Sequence, residues 1–361
     1  MRLVPIGGRT PDHRRAAHPL RLPASVTALM AGLIMVAGCT AGGSSPTPSQ
    51  SGQLAVIKVG EVPGVGDAPL FMAFQSKAFI QAGLDVRINN YSSTKEELAD
   101  LRAGVIQVAY GDYADMFYAQ AQAKAHPTKK SANLVLLADG YGAVANTMAV
   151  LTLPNSGIVT PQNLQGKTVG TAPPDVMPMA PSAQGHPYSL DTLATQSVLT
   201  NNNVNPASVN WQPVPPAGPD GMIAQLAEGH VDAILATEPT IFQAEAQLGA
   251  VPVVDSCTGA TSNLPLSGYF TSPSTAASRH ANLVTFRNTL IAAQATANNQ
   301  AGLVRATLEG SQGVSVQDAS LLTIGQYPTT INTSDLQRVA DLMATFNAIP
   351  AQIQVQSMIF H

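Results

Sequence analysis

The chain is short of several residue types, and each shortage closes off a class of function. Only two cysteines occur in 361 residues, Cys39 and Cys257, so no disulfide framework and no cysteine-based metal cluster organises it. Charged side chains make up 11% of the chain, and 18 basic residues stand against 22 acidic ones. Five of the arginines (Arg2, Arg9, Arg14, Arg15 and Arg21) lie at the N-terminus beside a single acid, Asp12. The remainder therefore has a net charge of −8 against −4 for the whole, a poor electrostatic match to nucleic acid or an anionic surface. There is no Gly-x-Ser-x-Gly elbow, no His-Glu-x-x-His and no phosphate loop. His126, His186, His230 and His280 stand isolated, with no pair at ligand spacing on a helix. Catalysis, metals and cofactors are accordingly not expected.

What is present begins with an apolar run. Residues 24–37 carry no charge and follow the arginine-rich segment, which suits a signal-peptide h-region and is too short for a relaxed membrane span. The run closes on Val36-Ala37-Gly38-Cys39, which resembles a bacterial lipobox. That resemblance implies cleavage before Cys39 and diacylation of its thiol, each buried methylene adding about 0.8 kcal/mol of anchoring. Residues 40–52 are rich in Gly, Ser, Pro and Thr, as a tether would be. No second run is long enough to span a membrane. The expected product is a soluble body, lipid-anchored on the extracytoplasmic face of the cell membrane. Cys257 follows the apolar stretch 251–254, so its thiol is expected to be buried.

From residue 54 the pattern alternates between β-like and helical segments. The stretch 54–59 is nearly all apolar, as in a strand covered on both faces. Asp67-Ala68-Pro69 opens a helix expected to reach residue 82, with Gly83 as its stop. Residues 84–89 alternate apolar and polar, which suits an edge strand, and Ser93-Thr94-Lys95-Glu96 is a capping box. Strands are expected at 105–110 and 133–138, then at 167–171, 209–214, 231–236 and 251–254. Helices are expected at 189–200, 220–228 and 240–248, and beyond Ser267 at 276–297, 301–310, 316–323 and 334–346. Such alternation at this spacing predicts βαβ units. One internal echo, Leu101–Ala109 against Leu226–Ile234, puts a helix end, a glycine and a buried strand in the same order.

Several motifs then carry a family likeness. Asn163-Leu164-Gln165-Gly166-Lys167-Thr168-Val169-Gly170 resembles the entry to the second lobe of type II periplasmic substrate-binding proteins of ABC importers. Residues 101–112 resemble their strand ending in Gly-Asp, and 226–239 their strand ending in Glu-Pro, here Thr237-Glu238-Pro239. Together they point to the branch that binds sulfonates, taurine, nitrate and thiamine precursors, over about residues 54–350. The resemblance implies an α/β protein of two doubly wound lobes around a central cleft, with two crossover segments and a helical C-terminal part. The expected division is 1–38 signal, 39–53 tether, 54–148 lobe one, 149–260 lobe two and 261–361 the return to lobe one. Crossovers are expected near 141–151 and 257–267. Two features depart from the family: a long loop opens at Thr171-Ala172-Pro173-Pro174, and the cysteine-rich motif of the pyrimidine-forming members is absent.

Ligands in open α/β sheets sit beyond the carboxyl ends of the strands, which nominates Asp67, Ala68, Ser92, Ser93, Asp112, Tyr113, Gly140 and Tyr141. From lobe two come Thr171, Ala172, Val214 and Glu238. Hydroxyls and free N–H groups at helix starts suit a polar or anionic ligand, with a slight lean to a sulfonate. The function these imply is capture of a small solute by a monomer that delivers it to ABC permease subunits. The alternatives are an enzyme on the same fold, with Asp112 and Glu238 as acid and base, or a sensory lipoprotein. Replacing the lipidated thiol tests the anchor. Cys39→Ala is expected to move the protein into the soluble fraction after cell lysis, and retention on membranes through a high-salt wash would refute the lipobox reading.

Overall fold

The computed structural model describes residues 54–127, 133–178, 188–215, 221–312 and 315–361. The signal, the tether, Cys39 and His186 lie outside the described residues. Ten strands form two five-stranded sheets: β1 (Ala55–Glu61), β2 (Leu84–Asn90), β3 (Val108–Asp112), β4 (Val135–Gly142), β5 (Met148–Thr152), β6 (Thr168–Thr171), β7 (Asn210–Pro213), β8 (Ala233–Thr237), β9 (Val251–Asp255) and β10 (Pro265–Thr271). Their orders are β2-β1-β3-β10-β4 and β7-β6-β8-β5-β9. With flanking helices they make the expected α/β fold, and β2 is the edge strand its alternation predicted.

The sheets are not wholly parallel. β10 runs antiparallel to β3 and β4, and β5 antiparallel to β8 and β9. Both strands begin inside the segments expected to be crossovers, near 141–151 and 257–267, and run past their ends. Met148–Thr152 is wholly buried, and its partners are some 80 to 100 residues away in sequence, which no local signal reveals. The true links are 143–147 and 256–264, and they are hydrogen-bonded to each other: the Ala143 N–H donates to the Leu264 carbonyl at 2.9 Å. The Thr147 hydroxyl lies 3.3 Å from Cys257 Sγ, and the cysteine is buried.

The internal echo is structural. β3 and β8 occupy the same central place in their sheets, each preceded by a left-handed glycine, Gly104 (φ 75°) and Gly229 (φ 73°). Each then makes the same backbone bond to a neighbouring strand: Gln107 N–H to the Lys58 carbonyl and Asp232 N–H to the Thr168 carbonyl, both 2.9 Å. Two helices differ from expectation. The segment 67–82 breaks into Ala68–Gln75 and Ala78–Gln81, because Lys77 adopts φ 60°. The segment 276–297 breaks at Arg279 into Pro273–Ser278 and His280–Asn299.

Side chains on successive strand positions point to opposite faces, so both sheets are packed on both sides. In the second, Val150, Val169 and Leu235 meet Leu199 and Trp211 on one face. On the other, Leu151 and Ile234 meet Leu226 and Ile241. The first sheet buries Ile57, Val59 and Tyr269 against Phe79 and Phe286, and Ala109 and Phe270 against Phe117 and Met343. Acids are buried here as well. Tyr113 donates to Asp139 Oδ1 at 2.8 Å, and burial pushes that carboxyl up to about 7. Glu61, Asp67 and Glu97 are fully buried. Glu97 Oε1 accepts the Tyr110 N–H at 2.8 Å, whereas Oε2 has no partner among the described residues.

Burial, with a smaller push from Glu61, raises Glu97 to about 8 against an ordinary 4.5. The folded state thus holds a proton that the unfolded chain releases near 4.5, so stability falls as pH rises from there to about 8 and levels off above it. The loss is on the order of a few kcal/mol. Glu97→Gln keeps the acceptor for Tyr110 and removes the titration. Its unfolding temperature is expected to fall less between pH 5 and pH 9 than that of the unmodified protein, and parallel profiles would refute the assignment.

Candidate functional site

A cleft of about 620 Å³ opens between the two sheets, at the carboxyl ends of β1, β3, β6 and β8. Its walls come from the segments that follow those strands and from the two links. Five of the nominated residues line it: Ser92, Asp112, Tyr141, Ala172 and Glu238. The other seven sit behind its surface. Asp67 and Ala68 are fully buried, with Asp67 Oδ2 accepting the Gly64 N–H at 3.3 Å. Ser93 is the N-cap of the helix Thr94–Ala103. The Tyr113 hydroxyl is directed to Asp139. Gly140 lies where a Cβ would meet the Ser267 carbonyl oxygen at 2.8 Å, so close strand packing is what calls for glycine. Thr171 turns its hydroxyl to the Ala172 carbonyl, and Val214 joins the apolar core of lobe two. The pairs Ser92/Ser93, Asp112/Tyr113, Gly140/Tyr141 and Thr171/Ala172 share a cause: adjacent residues at a strand end face opposite ways.

The polar equipment of the cleft is acidic. Asp112 caps the helix Tyr113–Ala125, its Oδ1 accepting N–H groups from Ala114 at 2.7 Å and Asp115 at 3.3 Å. Burial, then the charge of Asp115, lifts its carboxyl well above the usual range. Asp191, in the first turn of the helix Leu190–Asn201, accepts the Thr192 N–H at 2.8 Å and the Ser189 hydroxyl. Burial raises it also. Tyr110 and Ser267 share a 2.6 Å hydroxyl contact on the floor, and the Tyr141 hydroxyl accepts the Gly325 N–H at 2.6 Å.

Three carboxylates bridge the lobes. Asp175, after β6, accepts the Thr94 N–H of lobe one at 3.1 Å. In return Asp115 of lobe one accepts the Val176 N–H at 3.3 Å. Burial, then the nearby Asp175, raises Asp115. Glu238, after β8, accepts Phe242 N–H at 3.1 Å on its own helix and Thr323 N–H at 2.9 Å. The segment holding Thr323 continues to Gln326, which pairs with Gly142 of the first sheet. Burial raises Glu238, and the two N–H groups oppose the rise.

The sequence reading missed Thr94, Tyr110, Asp115, Asp175, Ser189, Asp191 and Ser267 as lining residues. Asp115 and Asp191 were hidden because acids in a first helical turn are ordinary partners of the helix dipole. Asp175 falls in the long loop whose opening residues Ala172, Pro173 and Pro174 also line the cleft. Among the described residues, no group of three His, Cys, Asp or Glu side chains is placed to hold a metal ion.

The NMT1-like family model matches residues 50–307. None of the curated proteins matches the sequence. Among solved structures, the periplasmic aliphatic sulphonate-binding protein SsuA from Escherichia coli superposes with a TM-score of 0.67 at 17% identity, covering 85% of this chain and 97% of its own. The alkanesulfonate-binding SsuA from Xanthomonas axonopodis pv. citri, bound to MOPS, gives 0.63 at 16% identity, covering 85% and 98%. The periplasmic nitrate-binding protein NrtA from Synechocystis PCC 6803 gives 0.64 at 13% identity, covering 85% of each chain. At such identities the structural likeness carries the fold, and the family match carries membership: the chain belongs to the NMT1-like family and has the two-lobed fold of periplasmic substrate-binding proteins.

Proposed function

We propose that this protein is a lipid-anchored extracytoplasmic solute receptor of an ABC importer, held at the membrane through Cys39 and acting as a monomer. Lobe one comprises 54–148 and 261–361, and lobe two 149–260. A small organic solute enters the cleft, the lobes close on it, and the closed form is presented to the permease. The observation that carries this reading is the cleft itself: about 620 Å³ at the carboxyl ends of both sheets, spanned by hydrogen bonds from each lobe to the other. Such a site excludes water on closure and fixes a ligand by a few convergent polar groups. The links 143–147 and 256–264 are short and bonded to each other, as a hinge requires.

The cross-lobe bonds make closure testable without a ligand. Asp175→Ala removes the acceptor for Thr94 and is expected to enlarge the radius of gyration in solution scattering by favouring the open form. An unchanged radius would show that the bond does not hold the lobes. The binding role is tested by thermal unfolding of the full chain, in detergent, against alkanesulfonates, taurine, nitrate, pyrimidines, amines and amino acids. A solute at 100 times its dissociation constant is expected to stabilise by about 2.7 kcal/mol. The reading fails if no solute does so and the purified permease hydrolyses ATP at the same rate with and without the protein.

A further inference from the structure

The cleft is lined by five carboxyl groups, Asp112, Asp115, Asp175, Asp191 and Glu238, and among its described lining residues there is no Lys, Arg or His. The two undescribed stretches of lobe two, 179–187 and 216–220, contain His186 but neither lysine nor arginine. A second observation is independent of this charge count. Anions bind at helix N-termini through N–H groups left free by the helix, and here several of those groups are already engaged. Asp112 takes the N–H groups of Ala114 and Asp115. Asp175 takes that of Thr94 across the cleft, and Asp191 takes that of Thr192. The protein's own carboxylates stand where an anionic ligand would have to stand. The remaining walls offer the rings of Tyr110 and Tyr141 and the apolar faces of Val65, Met148, Pro173 and Leu190.

Resting on the solute-binding reading above, we propose that the cleft selects an organic cation, an ammonium or guanidinium solute with an apolar body, and rejects sulfonates and nitrate. The cationic head pairs with the carboxylates and lies against the tyrosine faces, which attract a desolvated cation. The apolar body fills the space between the prolines and Met148. The charged and titratable groups facing the head are Asp112 and Asp115 from one helix, Asp175 from the loop after β6, Asp191 from the facing helix, Glu238 after β8, and the hydroxyls of Tyr110 and Tyr141. Burial holds Asp112, Asp115, Asp191 and Glu238 above the usual carboxylate range. A bound cation stabilises their ionised forms, so affinity rises with pH through neutrality and binding releases protons.

The experiment is isothermal titration and thermal unfolding of the full chain in detergent, with matched probes of three charges. The cations are choline, agmatine, putrescine and benzylamine. The neutral counterparts are 3,3-dimethylbutanol and benzyl alcohol, and the anions are ethanesulfonate, benzenesulfonate and nitrate. At least one cation is expected to bind saturably, at least tenfold tighter at pH 8 than at pH 6, with no response to the anions. Asp112→Asn and Asp191→Asn are expected to weaken that binding at least tenfold while retaining the circular dichroism of the unmodified protein, because the asparagine side-chain oxygen still accepts the first-turn N–H groups. Saturable binding of an anion, or of a neutral counterpart as tightly as its cation, overturns cation selectivity and leaves the solute-binding reading standing. Cation binding that is indifferent to both Asn variants also overturns it. Silence across all three charges overturns it too, and the permease assay then decides the solute-binding reading separately.

Discussion

Two strands run against their neighbours, and the cleft depends on them. β4 ends at Gly142 on the edge of the first sheet where β1 and β3 also end, and after five linking residues β5 begins opposite Thr237, the last residue of β8. A link that short joins the carboxyl edge of one sheet to the carboxyl edge of the other, so the entering strand must run backward through its sheet. The return does the same: β9 ends at Asp255, and after nine linking residues β10 enters opposite Gly142. Parallel entry would need a crossover of a dozen or more residues around each lobe. The short route instead brings both carboxyl edges face to face and places both links at one end of the cleft, where they hydrogen-bond to each other.

That arrangement aims helix starts at the cleft, because each helix that follows a parallel strand begins at the carboxyl edge. The resulting N–H groups are a fixed positive field, and what fills it sets the chemistry of the site. In this chain carboxylates fill it from within. Asp112 caps its own helix and Asp191 accepts an N–H in the first turn of its own, whereas Asp175 reaches from the second lobe to the first. Asp175, Asp115 and Glu238, by satisfying backbone donors across the cleft, fasten the lobes and with Asp112 and Asp191 give the cavity its negative lining.

Much of this architecture was legible in the sequence. Apolar runs, glycine stops and cap residues placed most strands and helices within a few residues, and the echo at Gly104 and Gly229 foretold two equivalent sheets. What escaped was long-range. β5 is a short apolar stretch and β10 carries the turn-like Ser267-Gly268 pair, and only their distant partners make them strands. At the site, the strand ends were found but their facing was not. A shift of one residue exchanges cleft for core, which is why Asp112 lines the cavity and Tyr113 does not. Asp115 and Asp191 read as dipole partners, a role that their sequence positions explain without any cavity. Asp175 lies in an irregular loop, where no periodicity tells which way a side chain points.

Fold and site chemistry separate at this point. The backbone shared with sulfonate- and nitrate-binding proteins presents amide donors in the same way whatever surrounds them, and specificity rests with side chains grafted on that frame. On the proposed solute-binding reading, an acidic lining also ties the charge of the solute to the closing motion. Bringing Asp112 and Asp115 toward Asp175 and Asp191 gathers like charges, a push that adds to burial, the larger cause, in raising the carboxyls of Asp112 and Asp115. A cation between them removes the repulsion, an anion increases it, and a neutral solute leaves it to protons. With the latch and the lining made of the same carboxylates, the solute that binds best is the one that lets the lobes stay closed.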